Sequence, residues 1–220
     1  MDKKPDFKKP YILANELLVA ARCITAFPFE VREFVREQTD LQFCSFKRAW
    51  EKFGLNCYEV TKSNSAGLVQ LNGRNVVFYN QDEYDAREPF NMLHETGHFL
   101  MFHKTNLDKD DPLYGIQEVE TNLFAAQMLM PLQILKEIQR RGYRIDISFL
   151  MKNFGVSEPA AKRRINTLNQ RFYQTAEERM FDDIIVEKFK KFIDRIAPKK
   201  IEEYNSCWDD PMQEERDSWY

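Results

Sequence analysis

The chain has 220 residues and a formal net charge of −3, with 43% hydrophobic and 30% charged residues. These proportions exclude a disordered or collagenous chain and suit one domain, or one domain with a small helical appendage, able to bury a core. The mild acidity gives no global reason to expect nucleic acid or an anionic membrane as a partner, and no stretch approaches the ~18 apolar residues that span a bilayer.

The N-terminus (MDKKPDFKKP) is charged, and the apolar run Tyr11 to Ala21 is interrupted by Asn15 and Glu16. It is no secretory core, so a cytoplasmic protein is expected. Cys23, Cys44, Cys57 and Cys207 show neither C-x-x-C nor zinc-ribbon spacing and read as reduced thiols. Ile12, Leu13, Leu17, Leu18, Ala21 and Ile24 recur at helical spacing and predict a helix over 11–27. Pro28 suits the first turn of a second helix running to Thr39. A third helix is predicted over Cys44 to Phe53, with Gly54 as its C-cap.

The texture then changes. Leu55 to Val60, Gly67 to Leu71 and Asn75 to Tyr79 are short and rich in strand formers, and Asn72-Gly73 between the last two is a strong hairpin signal. A small antiparallel sheet of about three strands is expected. Everything after Asn80 reads as helical: one helix from about Arg87–Phe90 to His103, a polar loop, a second from about Ile116 to Met130 stopped by Pro131, and others over roughly 132–140, 147–154, 157–173 and 176–196. In the last, Thr175 and Glu178 have capping-box spacing, and Phe181, Ile185, Phe189, Phe192 and Ile196 form an apolar stripe. The acidic end (NSCWDDPMQEERDSWY) reads as a loose or docked tail.

The three histidines all lie between positions 94 and 103, and two of them form His94-Glu95-Thr96-Gly97-His98. On a helix, residues i and i+4 share a face, so His94 and His98 can direct a ring nitrogen each at one ion. Glu95 is rotated by about 100°, which places its carboxylate beside a metal-activated water rather than on the metal. Zinc lowers the pKa of such a water toward ~7, Glu95 takes its proton, and a polarised peptide carbonyl is attacked. A catalytic zinc needs a third protein ligand and an open fourth position. Glu118, about twenty residues past His98, is the preferred third ligand, with Asn122 four residues on along the same face. This spacing resembles the gluzincin arrangement, in which the later residue supports a ligand histidine. Glu120 is the alternative; it lies about 200° around from Glu118, so both cannot serve.

The run Glu118-Val-Glu120-Thr-Asn122-Leu-Phe124-Ala125-Ala126-Gln-Met128-Leu129-Met130-Pro131 resembles the E-x-E-A-N-x-F-A-x-x-L-L-M-P signature of the ImmA/IrrE family of metallopeptidases. Phe90 to His98 (FNMLHETGH) is similar to that family's F-x-x-x-H-E-x-G-H segment. The paired strands ending in Tyr79-Asn80, and Phe154-Gly155-Val156-Ser157 followed by Ala160 and Arg164, also fit. The likeness covers about residues 55 to 170. It implies zinc (Zn²⁺) at His94, His98 and Glu118, Glu95 as general base, and a helix–turn–helix transcriptional repressor as the cleaved protein, so that genes of a phage or mobile element are derepressed. Pro89, Thr96 and Thr121 depart from the family's usual Arg, Leu and Ala.

Outside the motif, His103 sits roughly 140° round the helix from His98 and is expected to be structural or loop-anchoring. Tyr114, in the loop, is a possible oxyanion donor, although a surface aromatic is the favoured reading. Gly97 costs about 1 kcal/mol in a helix and predicts close packing against a neighbouring backbone. Residues 147–170 have helix–turn–helix texture with Lys162, Arg163 and Arg164 on the second helix. DNA contact is the weaker reading there, and a hairpin that completes the core the stronger. The basic residues 188–200, interleaved with Phe189 and Phe192, read as a solvated amphipathic face.

The expectation is therefore an α+β fold: a small antiparallel sheet packed on a mostly helical metallopeptidase body, a helix–turn–helix-like segment and a C-terminal helical extension. Residues 1–140 are read as the HExxH metallopeptidase domain and 141–220 as the helical region. The expected function is a zinc endopeptidase with a protein substrate. The alternative is a DNA- or repressor-binding regulator with a structural or degenerate metal site.

Overall fold

Asn72 and Gly73 both adopt positive φ, 50° and 74°. That is the backbone a two-residue type I′ turn demands, and it joins β2 (Ala66–Leu71) to β3 (Arg74–Tyr79) in an antiparallel pair running from Ala66↔Tyr79 to Leu71↔Arg74. The computed structural model describes residues 4–83, 86–104, 107–168 and 176–199. The other elements, in chain order, are α1 (Lys8–Ala20), α2 (Val31–Gln38), β1 (Gln42–Ser45), α3 (Phe46–Phe53) and α4 (Cys57–Thr61) before the hairpin. After it come α5 (Glu88–Leu100), α6 (Pro112–Leu129), α7 (Leu132–Arg140), α8 (Ile147–Phe154), α9 (Glu158–Leu168), α10 (Ala176–Arg179), α11 (Asp182–Lys188) and α12 (Lys190–Ile196). The α+β class holds, and no described helix is long and apolar enough to cross a membrane.

The sheet differs from expectation in one strand. It is mixed, in the order β1-β3-β2, with β1 parallel to β3 from Gln42↔Val76 to Ser45↔Tyr79. The strand expected over 55–60 is the short helix α4. There the Asn56 amide donates to the Glu59 carboxylate at 2.8 Å, closing a helical turn, and Cys57 packs with Phe46, Ala49 and Phe78. The third strand is instead β1, whose last two residues, Cys44 and Ser45, fall at the start of the helix expected over 44–53. That helix begins only at Phe46, where the Ser45 hydroxyl accepts from Arg48 N–H at 3.2 Å, and ends at Gly54 in the left-handed region as expected.

Helix boundaries moved for similar local reasons. α1 stops at Ala20, where Ala21 turns extended, and the Lys188 ammonium donates to the carbonyls of Leu18 and Ala21 at 2.5 Å each. α2 starts at Val31 rather than at Pro28. α6 starts early because Asp111 caps it, accepting from Leu113 N–H at 2.8 Å, with Pro112 in its first turn. The helix expected over 176–196 bends into α10, α11 and α12, but its stripe is buried: Phe181, Ile185, Phe189 and Phe192 all face the core. The capping box expected at Thr175, the acidic tail and Cys207 lie outside the described residues.

A single large cluster of buried side chains joins α1, α5, α6, α7, α8 and α11, including Leu18, Leu93, Phe124, Leu135, Phe154 and Ile185. Gly97 is explained by the α5–α6 contact. A Cβ there would lie 2.9 Å from the Phe124 ring and 3.4 Å from the Thr121 methyl, so side chains rather than the expected backbone set the limit. Gly97→Ala is expected to lose about 1–2 kcal/mol, an overpacking cost reduced by the better helix propensity of alanine. Urea denaturation of the metal-free protein measures this, and an unchanged or raised midpoint would contradict it.

Candidate functional site

α5 and α6 cross with their small and apolar faces together, Gly97 against Phe124. That close approach carries His94 and His98, one turn apart on α5, up to Glu118 on α6. His94 Nε2 and His98 Nε2 are 3.2 Å apart, Glu118 Oε2 lies 3.5 Å from the first, and Glu118 Oε1 lies 3.3 Å from the second. Three ligands at tetrahedral positions about 2.0–2.1 Å from one zinc ion would stand about 3.3–3.4 Å from each other. The donor set therefore fits zinc in both chemistry and spacing, and these residues are the group among the described ones with ligand atoms all within 4.8 Å of one another.

Electrostatics tighten the group. Burial pushes the Glu118 carboxyl up, but hydrogen bonds and charge from His94 and His98 outweigh it and bring it down to about 2. Burial pushes His94 down, yet the Glu118 bond, the Glu95 and Glu118 charges and a hydrogen bond with Asn122 together leave its pKa above the ordinary value. Asn122 thus supports His94, as its place four residues after Glu118 led one to expect.

Glu95 stands beside the group, with Oε2 accepting from Leu68 N–H on β2 at 2.8 Å. The sheet therefore orients the carboxylate through a backbone donor that no residue pattern marks. Tyr114, expected as a surface aromatic in the loop, lies half-buried in the first turn of α6 and lines the cleft. Burial, then the Glu118 and Glu95 charges, push its hydroxyl pKa up, so it stays a proton donor. Beneath the histidines the buried Thr121 hydroxyl donates to the Gln117 carbonyl at 2.9 Å and lies 3.4 Å from His94 Nε2.

Glu120 does not join Glu118. It points to the other side of α6, where Oε2 meets His103 Nε2 at 3.0 Å. His103 in turn meets His98, because α5 ends at Leu100 rather than at His103. Sequence reasoning missed this role, since it depends on where the helix stops.

The cleft has a volume of about 620 Å³ and is walled by β2 residues Ala66 to Leu68, by Lys104, Leu107, Asp108 and Lys109, and by α5 and α6. Past Phe90, Asn91 and Asn122 it borders a second groove of about 670 Å³, closed on its far side by α9. Arg164, grouped in the sequence with possible DNA contacts, is 2% exposed and donates to the carbonyl of Met130 and to Gln127 at the end of α6. It caps α6 from inside, while Lys162 and Arg163 stay exposed.

The family model described as Peptidase M78, IrrE N-terminal-like domain, matches residues 51–166, just over half of the chain. No curated protein matches.

Proposed function

The chain belongs to the ImmA/IrrE family of metallopeptidases, and on that premise we propose that it is a zinc-dependent endopeptidase that cuts a helix–turn–helix transcriptional repressor. The observation that carries the reading is the convergence of His94, His98 and Glu118 at tetrahedral spacing, with Glu95 beside them. When bound, zinc supplies Lewis acidity that lowers the pKa of a water and polarises a carbonyl.

The chain's own residues do the rest. Glu95, held by Leu68 N–H through one oxygen, takes the proton of the attacking water and returns it to the leaving amine. Tyr114, which lines the cleft, donates its hydroxyl proton in a hydrogen bond to the carbonyl oxygen as charge develops there. Asn122 steadies His94. The bordering groove favours internal cleavage over removal of a terminal residue, because it leaves room for polypeptide beyond the metal cleft.

Plasma mass spectrometry is expected to find about one zinc per chain, lost in His98→Ala. The zinc-loaded protein is then expected to cut a helix–turn–helix repressor encoded beside it at one internal bond, with chelation stopping the reaction and added zinc restoring it. A zinc-loaded protein that leaves such repressors intact would remove the proposed substrate, and a protein that takes up no zinc would remove the chemistry.

A further inference from the structure

Past the end of α5 the chain makes a Schellman turn. Phe102 N–H donates to the Phe99 carbonyl at 3.1 Å and His103 N–H to the His98 carbonyl at 3.0 Å, with Phe102 in the left-handed region at φ 57°. Glycine or asparagine usually occupies that position, and a larger side chain there costs about 1–2 kcal/mol. Phe102 is 90% exposed, so no burial of its ring offsets the strain. The turn has one clear result: it swings His103 back over the last turn of the helix. The His103 ring stands edge-on to His98, centroids 5.1 Å apart at 74°, with its side chain only 6% exposed.

The hydrogen bonds then run in one direction. Glu120 Oε1 accepts from Asp6 N–H at 2.7 Å, and Oε2 faces His103 Nε2 at 3.0 Å. With both carboxylate oxygens acting as acceptors, the bond requires His103 to carry its proton on Nε2. In the neutral ring His103 Nδ1 is then a lone pair, and it lies 3.2 Å from His98 Nδ1. The proton in that contact must come from His98. With its proton on Nδ1, His98 turns an Nε2 lone pair toward His94 and Glu118. The reverse order would set the His103 Nε2 lone pair against a carboxylate oxygen in a nearly dry site, at the cost of an unmade buried hydrogen bond.

We propose that Glu120 and His103 are positioning residues that hold His98 in the tautomer whose Nε2 lone pair faces His94 and Glu118 and can coordinate a metal there. Neither touches reacting atoms; the carboxylate at the far end also draws on the His98 Nδ1 proton and makes Nε2 a better donor. The inference rests on the metal-site reading above, and it adds a partner pair that the H-E-x-x-H spacing does not contain.

The test measures zinc affinity of the full chain by chelator competition, with the visible spectrum of the cobalt(II)-substituted protein as a second readout and apo thermal melts as a folding control. Three variants separate the roles. His103→Phe keeps a ring but removes the acceptor, and is expected to weaken zinc binding about 10–100-fold. His103→Asn keeps an acceptor near the Nδ1 position and is expected to recover most of that loss. Glu120→Gln keeps size but must present its amide NH₂ either to His103 or to Asp6 N–H, so it is expected to weaken zinc binding and shift the cobalt bands. If His103→Phe and Glu120→Gln both bind zinc within twofold of wild type with unchanged cobalt spectra, the relay is wrong. If His103→Phe and His103→Asn lose affinity equally, the tautomer argument fails. A wild-type protein that binds no zinc overturns both the relay and the metal site, and is told apart by that result.

Discussion

Glu95→Gln is expected to lower the rate of peptide cleavage by about 100- to 10,000-fold, the range for removing a positioned general base, while zinc stoichiometry stays at the wild-type level. The amide keeps an oxygen that can accept from Leu68 N–H, so the contact between α5 and β2 survives the change. It cannot take a proton from water. The loss should fall on kcat, since Glu95 is not among the converging ligands. Single-turnover cleavage of the repressor beside metal analysis makes the comparison. Retention of more than a tenth of wild-type activity would assign the base to another group, and loss of zinc together with activity would make Glu95 part of the metal site.

Glu118→Ala is expected to weaken zinc binding by more than about 100-fold: structural zinc sites hold their ion with about 10–16 kcal/mol over four ligands, so each accounts for about 3 kcal/mol. The same site predicts a pH dependence. In the metal-free protein His94 holds its proton above the ordinary 6.5, and Glu118 keeps its charge down to about 2. The His94 contribution to apo stability is therefore complete below 6.5 and lost as pH rises through the raised folded value. The Glu118 contribution is complete above 4.5 and lost as pH falls toward 2. Zinc reverses the first effect, because the ion needs His94 neutral. Zinc affinity should fall by about tenfold for each unit by which pH is lowered, for that one proton, beginning at a pH above 6.5. The rise in Tm on adding zinc should be smaller at pH 5.5 than at pH 7.5. A zinc-induced rise that does not depend on pH, or that persists in Glu118→Ala, would contradict this account.

Much of the catalytic arrangement was legible in the chain because it rests on helical geometry, which is local. His94 and His98 share a face whatever surrounds them, and Glu118 and Asn122 share another. The choice of Glu118 over Glu120 followed from spacing, and the crossing of α5 and α6 places Glu118 as that choice required. The hairpin was equally legible, since Asn72-Gly73 accepts the two positive φ values a I′ turn imposes. Leu55 to Val60 misled for a physical reason. A short run rich in apolar residues suits a buried surface of either kind, and the Asn56–Glu59 bond and the packing of Cys57 chose helix. β1 was hidden because a parallel edge strand of four residues depends on a partner far along the chain.

By itself, then, the sequence determined the chemistry on each helix: the paired imidazoles, the acid between them, and the acid and amide one turn apart. These follow from a fixed rise and rotation per residue. Only the tertiary structure decided what depends on chain ends and crossings. It turned Glu120 away from the metal cleft and brought Tyr114 to its wall. It gave Glu95 a donor on β2, and it buried Arg164 as a cap for α6. The clearest case is His103. On a continuing helix it would face away from His98, and Phe102 gives no residue-level sign of the left-handed turn that ends α5. The turn closes with local Schellman hydrogen bonds and is held by the Lys9 ammonium on the Met101 carbonyl, a contact that exists only once the chain has folded back on itself.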